Sequence, residues 1–441
     1  MNAMEFFKRS LIFLGLLGLL FSVVGGVLVY LYQDQLVSRF VDEANKRIAT
    51  PIHADEIKAS WWKKFPDVSI VLSEVVIDGS LPGPTDTLAT ADNIYCTFNA
   101  WEILRGNWIG EEIHMKKGML FLVQSELGDN NYTIVNRKNP QSDNGSGFKL
   151  EKIELTDVSI TYLDLLRTQE YQIKVHDVTA SLASDSSLYQ IELQGDITSE
   201  KLEIASRKYF QGQPVNINAQ LSYHQPEKRW NIQRSELSID GSSFLVNGFY
   251  QGLDNSVELT LEGHNTNIKT ILSLLPQQIA SKFDKYRSRG ELYFSGRLAG
   301  SMEEGENLEA RIDFGCRNAS FDHPRYEKGM EAVYLSGSFY SPQVEQLDKA
   351  TLTLKDVKGS LEGRNFAGNL QISNLEQYRI KGDFQGTFNL NSWQKFLPPG
   401  EVTTTEGNME VDITFEGPVN YLKSTTSMDK FKTSGEILIE D

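Results

Sequence analysis

Residues 64–79 read KFPDVSIVLSEVVIDG, and their pattern decides the fold class. Val68, Ile70 and Leu72 alternate with Ser69 and Ser73, and Val75 and Ile77 then run into the turn pair Asp78-Gly79. Such alternation marks a strand with one apolar face. Phe65-Pro66 sets its start, because proline fixes φ and cannot donate to a ladder. The same pattern recurs almost to the last residue, with few helical stretches between. A sheet of that extent must bury its apolar face against something, and the sequence poses the question of what.

Toward the N-terminus no charged residue stands between Arg9 and Asp34, and residues 11–32 read LIFLGLLGLLFSVVGGVLVYLY. At 1.5 Å per residue this window spans roughly 33 Å, enough for a hydrocarbon core. A cleaved secretory signal is the competing reading. The run is longer than the usual apolar region of a signal, and no A-x-A-like site follows it. Lys8 and Arg9 precede it, which keeps the short N-terminus cytoplasmic and exports the rest. The expectation is an uncleaved signal anchor over residues 1–33.

After the anchor, DQLVSRFVDEANKRIATPI places Leu36, Phe40, Ala44 and Ile48 on one stripe, with Val37 and Val41 beside them, which predicts an amphipathic helix ended by Pro51. Trp61 and Trp62 suit either a bilayer interface or a first small core. Short strands follow: IHADEIKAS, the quoted segment, TADNIYCTFN, EEIHMKKGMLFLVQS and NYTIVNR, interrupted by one short helix, AWEILRG. QSDNGSG at 141–147 reads as a linker between a region at 34–140 and a β-rich region at 148–441.

Beyond the linker nearly every segment alternates with period two. SVELTLEGH, GELYFSG and NMEVDITFEG are representative. An internal repeat accompanies them. IKTILSLLPQ and LNSWQKFLPPG read as short helices ending in Leu-Pro, and Pro276 and Pro398 are 122 residues apart. Phe244 of GSSFLVNG and Phe366 of GRNFAGN show the same offset of 122, which predicts duplicated blocks.

Composition excludes several classes. A formal net charge of −16 speaks against nucleic acid and against charge-driven docking on anionic lipid. Two cysteines, Cys96 and Cys316, give no disulfide framework and read as buried thiols. The six histidines, His53, His114, His176, His224, His264 and His323, are scattered without metal-ligand spacing. No nucleophile elbow, phosphate loop or dinucleotide fingerprint occurs. GDNNY lacks the spacing and terminal Glu of a calcium loop and reads as a turn. The chain therefore reads as a non-enzyme with no cofactor and no metal.

FPDVSIVLSEVVIDG, TLATADNIYCTFNAWEILRGNWIGEEIHMKKG and GDNNYTIV, with the anchor and the later Leu-Pro helices, resemble the AsmA-like family of envelope proteins in its Bacteroidetes form. The likeness is motif-based over residues 1–140 and architectural from 148 onward. It implies an inner-membrane, single-pass protein whose bulk lies in the periplasm. The implied fold is mainly β: a transmembrane helix, a chorein-like region, and an elongated, curved, repetitive antiparallel sheet forming an apolar groove. The implied role is phospholipid transport between membranes and outer-membrane biogenesis, with envelope proteins as further partners. It also implies a longer chain, so SGEILIED reads as a strand in a sequence that continues.

Two solutions remain open for the apolar face: a closed sandwich serving as scaffold or assembly factor, or a groove that holds lipid. Two acyl chains leaving a bilayer expose some 30 methylenes, about 25 kcal/mol in all. Only a continuous apolar lane offsets that. About twenty strands at roughly 4.8 Å would give a lane near 100 Å. Strand parity names its candidates: Val257, Leu259 and Leu261 point opposite to Glu258, Thr260 and Glu262. Leu292 and Phe294, and Val411, Ile413 and Phe415, make the same choice in separate blocks.

Overall fold

Alternation predicts strands, and strands form almost everywhere it occurs. The computed structural model describes residues 26, 31–46, 48–60, 64, 67–82, 86–105, 110–134, 148–185, 187–204, 207–209, 211–264, 287–303, 307–322, 329–344, 346–390, 407–420 and 431–440. Contacts divide the chain into two units. Unit 1 comprises 1–184 and 191–216, and unit 2 comprises 185–190 and 217–441.

Helix α1 (31–46) opens the described chain. Strands β1 (Ile52–Ser60), β2 (Val68–Asp78) and β3 (Thr87–Phe98) follow, then α2 (Ala100–Leu104) and β4 (Gly110–Gln124). Next come β5 (Phe148–Asp164), β6 (Gln169–Asp185), β7 (Leu188–Ile204), β8 (Arg207–Tyr209) and β9 (Gln213–His224). Then β10 (Arg229–Ile239), β11 (Ser242–Gln251), β12 (Ser256–His264), β13 (Arg287–Ser301), β14 (Leu308–Asp322) and β15 (Met330–Ser341). The last are β16 (Thr351–Leu361), β17 (Arg364–Ser373), β18 (Arg379–Asn389), β19 (Asn408–Pro418) and β20 (Lys432–Glu440). Hydrogen bonding joins these strands into one sheet, which does not close.

The sheet is mixed, which corrects the antiparallel expectation. β4 and β5 pair in parallel, Met115 opposite Leu155 and Leu120 opposite Ile160. A parallel neighbour needs a long connection, and 23 residues, 125–147, separate the two strands. NYTIVNR is a second correction over 131–134, which form no strand, while 135–137 lie outside the described residues. The bonds of this segment go elsewhere: Asn131 N–H donates to Val123 O, and Ile134 O accepts from Ala49 N–H. The apolar window apart from Gly26 and 31–32, Trp61, Trp62, the linker 141–147 and the helices at 268–275 and 390–397 apart from Leu390 lie outside the described residues. Among the described residues no helix is long and apolar enough to cross a membrane.

In unit 1 the opening question gets its first answer. Register carries one apolar row across six strands, Ile57, Leu72, Ile94, Met115, Leu155 and Val178. A second row runs through Ala54, Val75, Ala91, Gly118, Val158 and Val175. Between them each strand inserts two polar residues: Asp55-Glu56, Ser73-Glu74, Asp92-Asn93, Lys116-Lys117, Thr156-Asp157 and His176-Asp177. Two residues would put the second row on the opposite face of a regular strand. Glu74, Lys117 and Asp157 instead take φ of 49°, 51° and 55°. These local reversals return both rows to one side, where Leu72 and Val75 share a cluster, as do Met115 and Val158. Over β1–β3 that side is covered by α1: Phe40 sits edge-on to Phe98 at 6.0 Å, with Leu36 and Val41 alongside. The predicted stripe is the buried one.

The β3 end is shaped by capping. Asn99 Oδ1 accepts from Trp101 N–H at 3.0 Å and Glu102 N–H at 3.3 Å, starting α2. At the other end Asn131 is fully buried. Its Oδ1 accepts from Val123 N–H at 2.8 Å, and its Nδ2 donates to Phe121 O at 2.8 Å and to Asp86 at 3.2 Å. GDNNY is thus the turn that ties β4 to the β2–β3 connection.

In unit 2, β10 to β20 form an antiparallel meander. The duplication is explicit in its hairpins. β10–β11 and β16–β17 pair in the same register, Ile239 with Ser242 and Leu361 with Arg364. Their turns, Asp240-Gly241 and Glu362-Gly363, both use positive φ, as a two-residue hairpin of this hand requires. Each first strand has a bulge closed by the second: Asn247 Oδ1 accepts from Arg234 N–H at 2.8 Å, and Asn369 Oδ1 from Asp356 N–H at 3.0 Å. All these pairs lie 122 residues apart.

Candidate functional site: an apolar lane in unit 2

Residues directly opposite on paired strands share a face, so register traces what each face contains. From Phe294 on β13 one row passes through Phe314, Gly337, Leu354, Leu370 and Gly382 to Phe415 on β19. A second row, two residues along, runs from Leu261 through Gly296, Ile312, Phe339, Leu352, Ile372 and Ile380 to Gly417. The row between them is polar throughout: Glu262, Ser295, Asp313, Ser338, Thr353, Gln371, Lys381, Glu416 and Lys432. One face is therefore an apolar lane and the other is wet. Neither apolar row contains a charged side chain.

All eight sequence candidates fall on the lane face. Leu259 pairs with Leu298 and Val257 with Gly300, while Leu292 lies opposite Cys316. Ile413 stands opposite Phe384, and Val411 opposite Gly386. Sequence reading passed over Phe314, Phe339, Leu354, Leu370 and Phe384, which lie in the same lane. Their signal was the same parity in ARIDFG, SGSFY, ATLTLKD, NLQIS and KGDFQG.

Aromatic rings lie over several glycines of this face. A methyl group on Gly337 would stand 2.4 Å from the Phe314 ring, and one on Gly359 would stand 2.7 Å from Phe366. Rings that lie over cross-strand glycines cover bare backbone and keep the lane low. Phe366, Phe384 and Phe388 continue as a stack, with centroids 6.4 and 5.5 Å apart.

Val257, Leu292, Phe294 and Val411 are buried. Leu259, Leu261, Leu298, Ile312, Phe339, Leu370, Phe384, Ile413 and Phe415 are only partly buried. The buried residues other than Val257 stand toward one end of the strands. There Leu292, Cys316, Ala319 and Val333 form one cluster, and Phe388, Met409 and Val411 another. The connections 265–286 and 390–407, which contain the two predicted helices, leave the sheet at that same end, since β12 and β18 both finish there.

The wet face carries exposed pairs. Arg297 meets Glu258 at 2.9 Å, Arg311 meets Asp313 at 3.0 Å, and Arg379 and Lys381 each reach Glu416 at 3.4 Å. These hydrogen bonds hold the Glu416 carboxyl below its ordinary value. A hollow of about 690 Å³ spans β16–β20. Two of its three lining rows, those of Gln371 and Asp383, are polar, so it belongs to this face and not to the lane.

Unit 1 holds a half-buried ionic patch. Lys64 Nζ lies 2.8 Å from Glu112 and 3.8 Å from Glu154, Lys152 also pairs with Glu154, and His114 Nδ1 is 3.6 Å from Glu154. Burial pushes the His114 imidazole below its ordinary value. Among the described residues no three His, Cys, Asp or Glu side chains are grouped to hold a metal. Comparison of the chain with family models, curated proteins and solved structures finds no match.

Proposed function

We propose that this chain is an inner-membrane-anchored periplasmic protein that handles phospholipid between membranes, with acyl chains seated on the lane of unit 2. The observation that carries this reading is the lane itself: two charge-free apolar rows, seven and eight strands long, most of whose large side chains are only partly buried. Each large side chain left half-wet forgoes about 1 kcal/mol of burial. An acyl chain laid across the strands recovers that on both partners and needs no polar recognition. The anchor reading of residues 11–32 and the resemblance to AsmA-like envelope proteins supply location and direction of thought, and a role in outer-membrane biogenesis follows from them.

The second reading is a scaffold or assembly factor with a closed, dry core. The buried clusters around Cys316 and Met409 favour it at one end of the strands. A photo-crosslinker decides between the two. Placed at Leu259 or Ile413 in cells it captures lipid if the lane is loaded, whereas at Glu258 or Asp412 it does not, because one residue reverses the side-chain direction. Equal labelling at both parities, or none at either, supports the scaffold.

A further inference from the structure

In unit 1, α1 has a fixed direction. Beyond its C-terminal end, Ala49 N–H donates to Ile134 O at 2.7 Å, and Pro51 O accepts from Asp78 N–H at 3.1 Å. That end therefore lies with the close of β2 and the GDNNY turn. The N-terminal end of α1 points the other way, toward the finish of β3 and α2. The cluster around Phe40 and Phe98 takes in both Leu36 of α1 and Ile103 of α2, and Phe40 itself meets Phe98 at the finish of β3, from which α2 follows.

At this end three large side chains face solvent: Leu31 at 66%, Tyr32 at 49% and Trp101 at 60% exposure. Trp101 is on the opposite account from Ile103, which packs inward. Arg105, tied to Glu102 at 2.7 Å, adds an exposed cation beside them. The uncharged sequence from Ser10 to Gln33 runs into α1 without a break. A hydrophobic window of that length, continuous in sequence with α1, brings this end toward the bilayer. Tryptophan and tyrosine are the side chains suited to that depth, with an apolar ring and one polar atom.

We infer that the α2 end of unit 1 docks on a lipid bilayer surface, with Leu31, Tyr32 and Trp101 in the interface. This rests on the anchor reading of residues 11–32. Docking there fixes the tilt of α1 and stands the β1–β4 strands against the membrane, where an anchor alone would leave them swinging on a helix.

The test uses the full chain in vesicles of phosphatidylethanolamine and phosphatidylglycerol. An environment-sensitive fluorophore is attached through Trp101→Cys or, as control, Leu127→Cys, which is 89% exposed at the opposite end of the same unit. The expected result is blue-shifted emission at 101 that spin-labelled lipid quenches, with neither effect at 127. A chain that floats with vesicles while the two probes behave alike keeps the anchor and overturns the docking. A chain that fails to float overturns the anchor and the docking together. Shielding of the 101 probe from iodide before lipid is added assigns the patch to a second copy of the chain and also overturns the proposal. Tyr32→Ser guards against a fluorophore artefact: it should weaken quenching at 101 without releasing the chain from vesicles.

Discussion

Replacing Asn131 by alanine should loosen the far end of β4 without touching the lane. The side chain is fully buried and uses every bond it makes. Its loss strands Val123 N–H, deprives Phe121 O of a donor and leaves Asp86 one partner short. A buried polar group left unmade costs about 1–3 kcal/mol. Two backbone groups together give about 3 kcal/mol, since part of the strain relaxes when water enters. Amide hydrogen exchange in the intact chain reads this locally, and about 3 kcal/mol corresponds to roughly a hundredfold faster exchange at Val123. Thr133→Ala, which removes an exposed bond to Asn130 of 2.7 Å, is the control and should change little. Asn131→Asp adds a signature in pH. Aspartate there faces Asp86 and a carbonyl, so its folded pKa must rise above the unfolded value of about 3.9. Its native state is favoured below that value and loses stability as pH rises through the folded one. If Asn131→Ala exchanges no faster at Val123 than Thr133→Ala does, the latch is not the turn's role.

Four further outcomes follow from the same geometry. Asn247→Ala and Asn369→Ala should each cost about 1 kcal/mol and raise exchange at Arg234 and Asp356 respectively, because each removes one bulge-closing bond. Unequal effects would separate the two hairpins that register makes equivalent. Gly337→Ala should cost about 1–3 kcal/mol by driving the Phe314 ring off its seat, measurable as a lower denaturation midpoint. The Cys96 thiol, pushed up to about 12 by burial, should resist alkylation in the native chain at pH 8 and react once the chain is unfolded in urea. Burial raises the Glu154 carboxyl, but Lys152, Lys64 and His114 win and hold it below its ordinary value. That contribution is complete above about pH 4.3 and is lost as pH falls through the lowered value, so Glu154→Gln should flatten the acid limb of the stability curve.

Much of the fold was written in period-two alternation, and IHADEIKAS became β1 residue for residue. The parity argument that chose Val257, Leu292 and Val411 needed no neighbour, because side-chain direction is local to a strand. What alternation alone could not deliver was its own interruption. SEVV, ADNI, MKKGM, LTDV and VHDV each break the period with two polar residues, and these breaks fall in one row across β2–β6. Each break was visible by itself. Their alignment depends on register between paired residues up to 40 apart in sequence, and nothing in a single segment encodes it. The parallel β4–β5 pair was hidden for the same reason, and NYTIVNR looked like a strand because its apolar residues say nothing about Asn131 being spent on a turn.

Whether the lane is a conduit or half of a closed core turns on which atoms meet its side chains. In a sandwich the middle of the face is its driest part, because a second sheet sits about 10 Å above it. Here the middle is not the driest part. Cys316, Phe388 and Met409 near one end and Val257 near the other are buried, while Leu259, Ile312, Phe339 and Ile372 are partly buried. β12 and β18, which precede the connections at 265–286 and 390–407, both finish at the end that holds Cys316 and Met409. The 122-residue repeat of the hairpin sits in a sheet whose two apolar rows carry no charge along their length. An acyl chain fits that geometry because it follows a row from strand to strand, where every contact is hydrocarbon and no charge has to be desolvated.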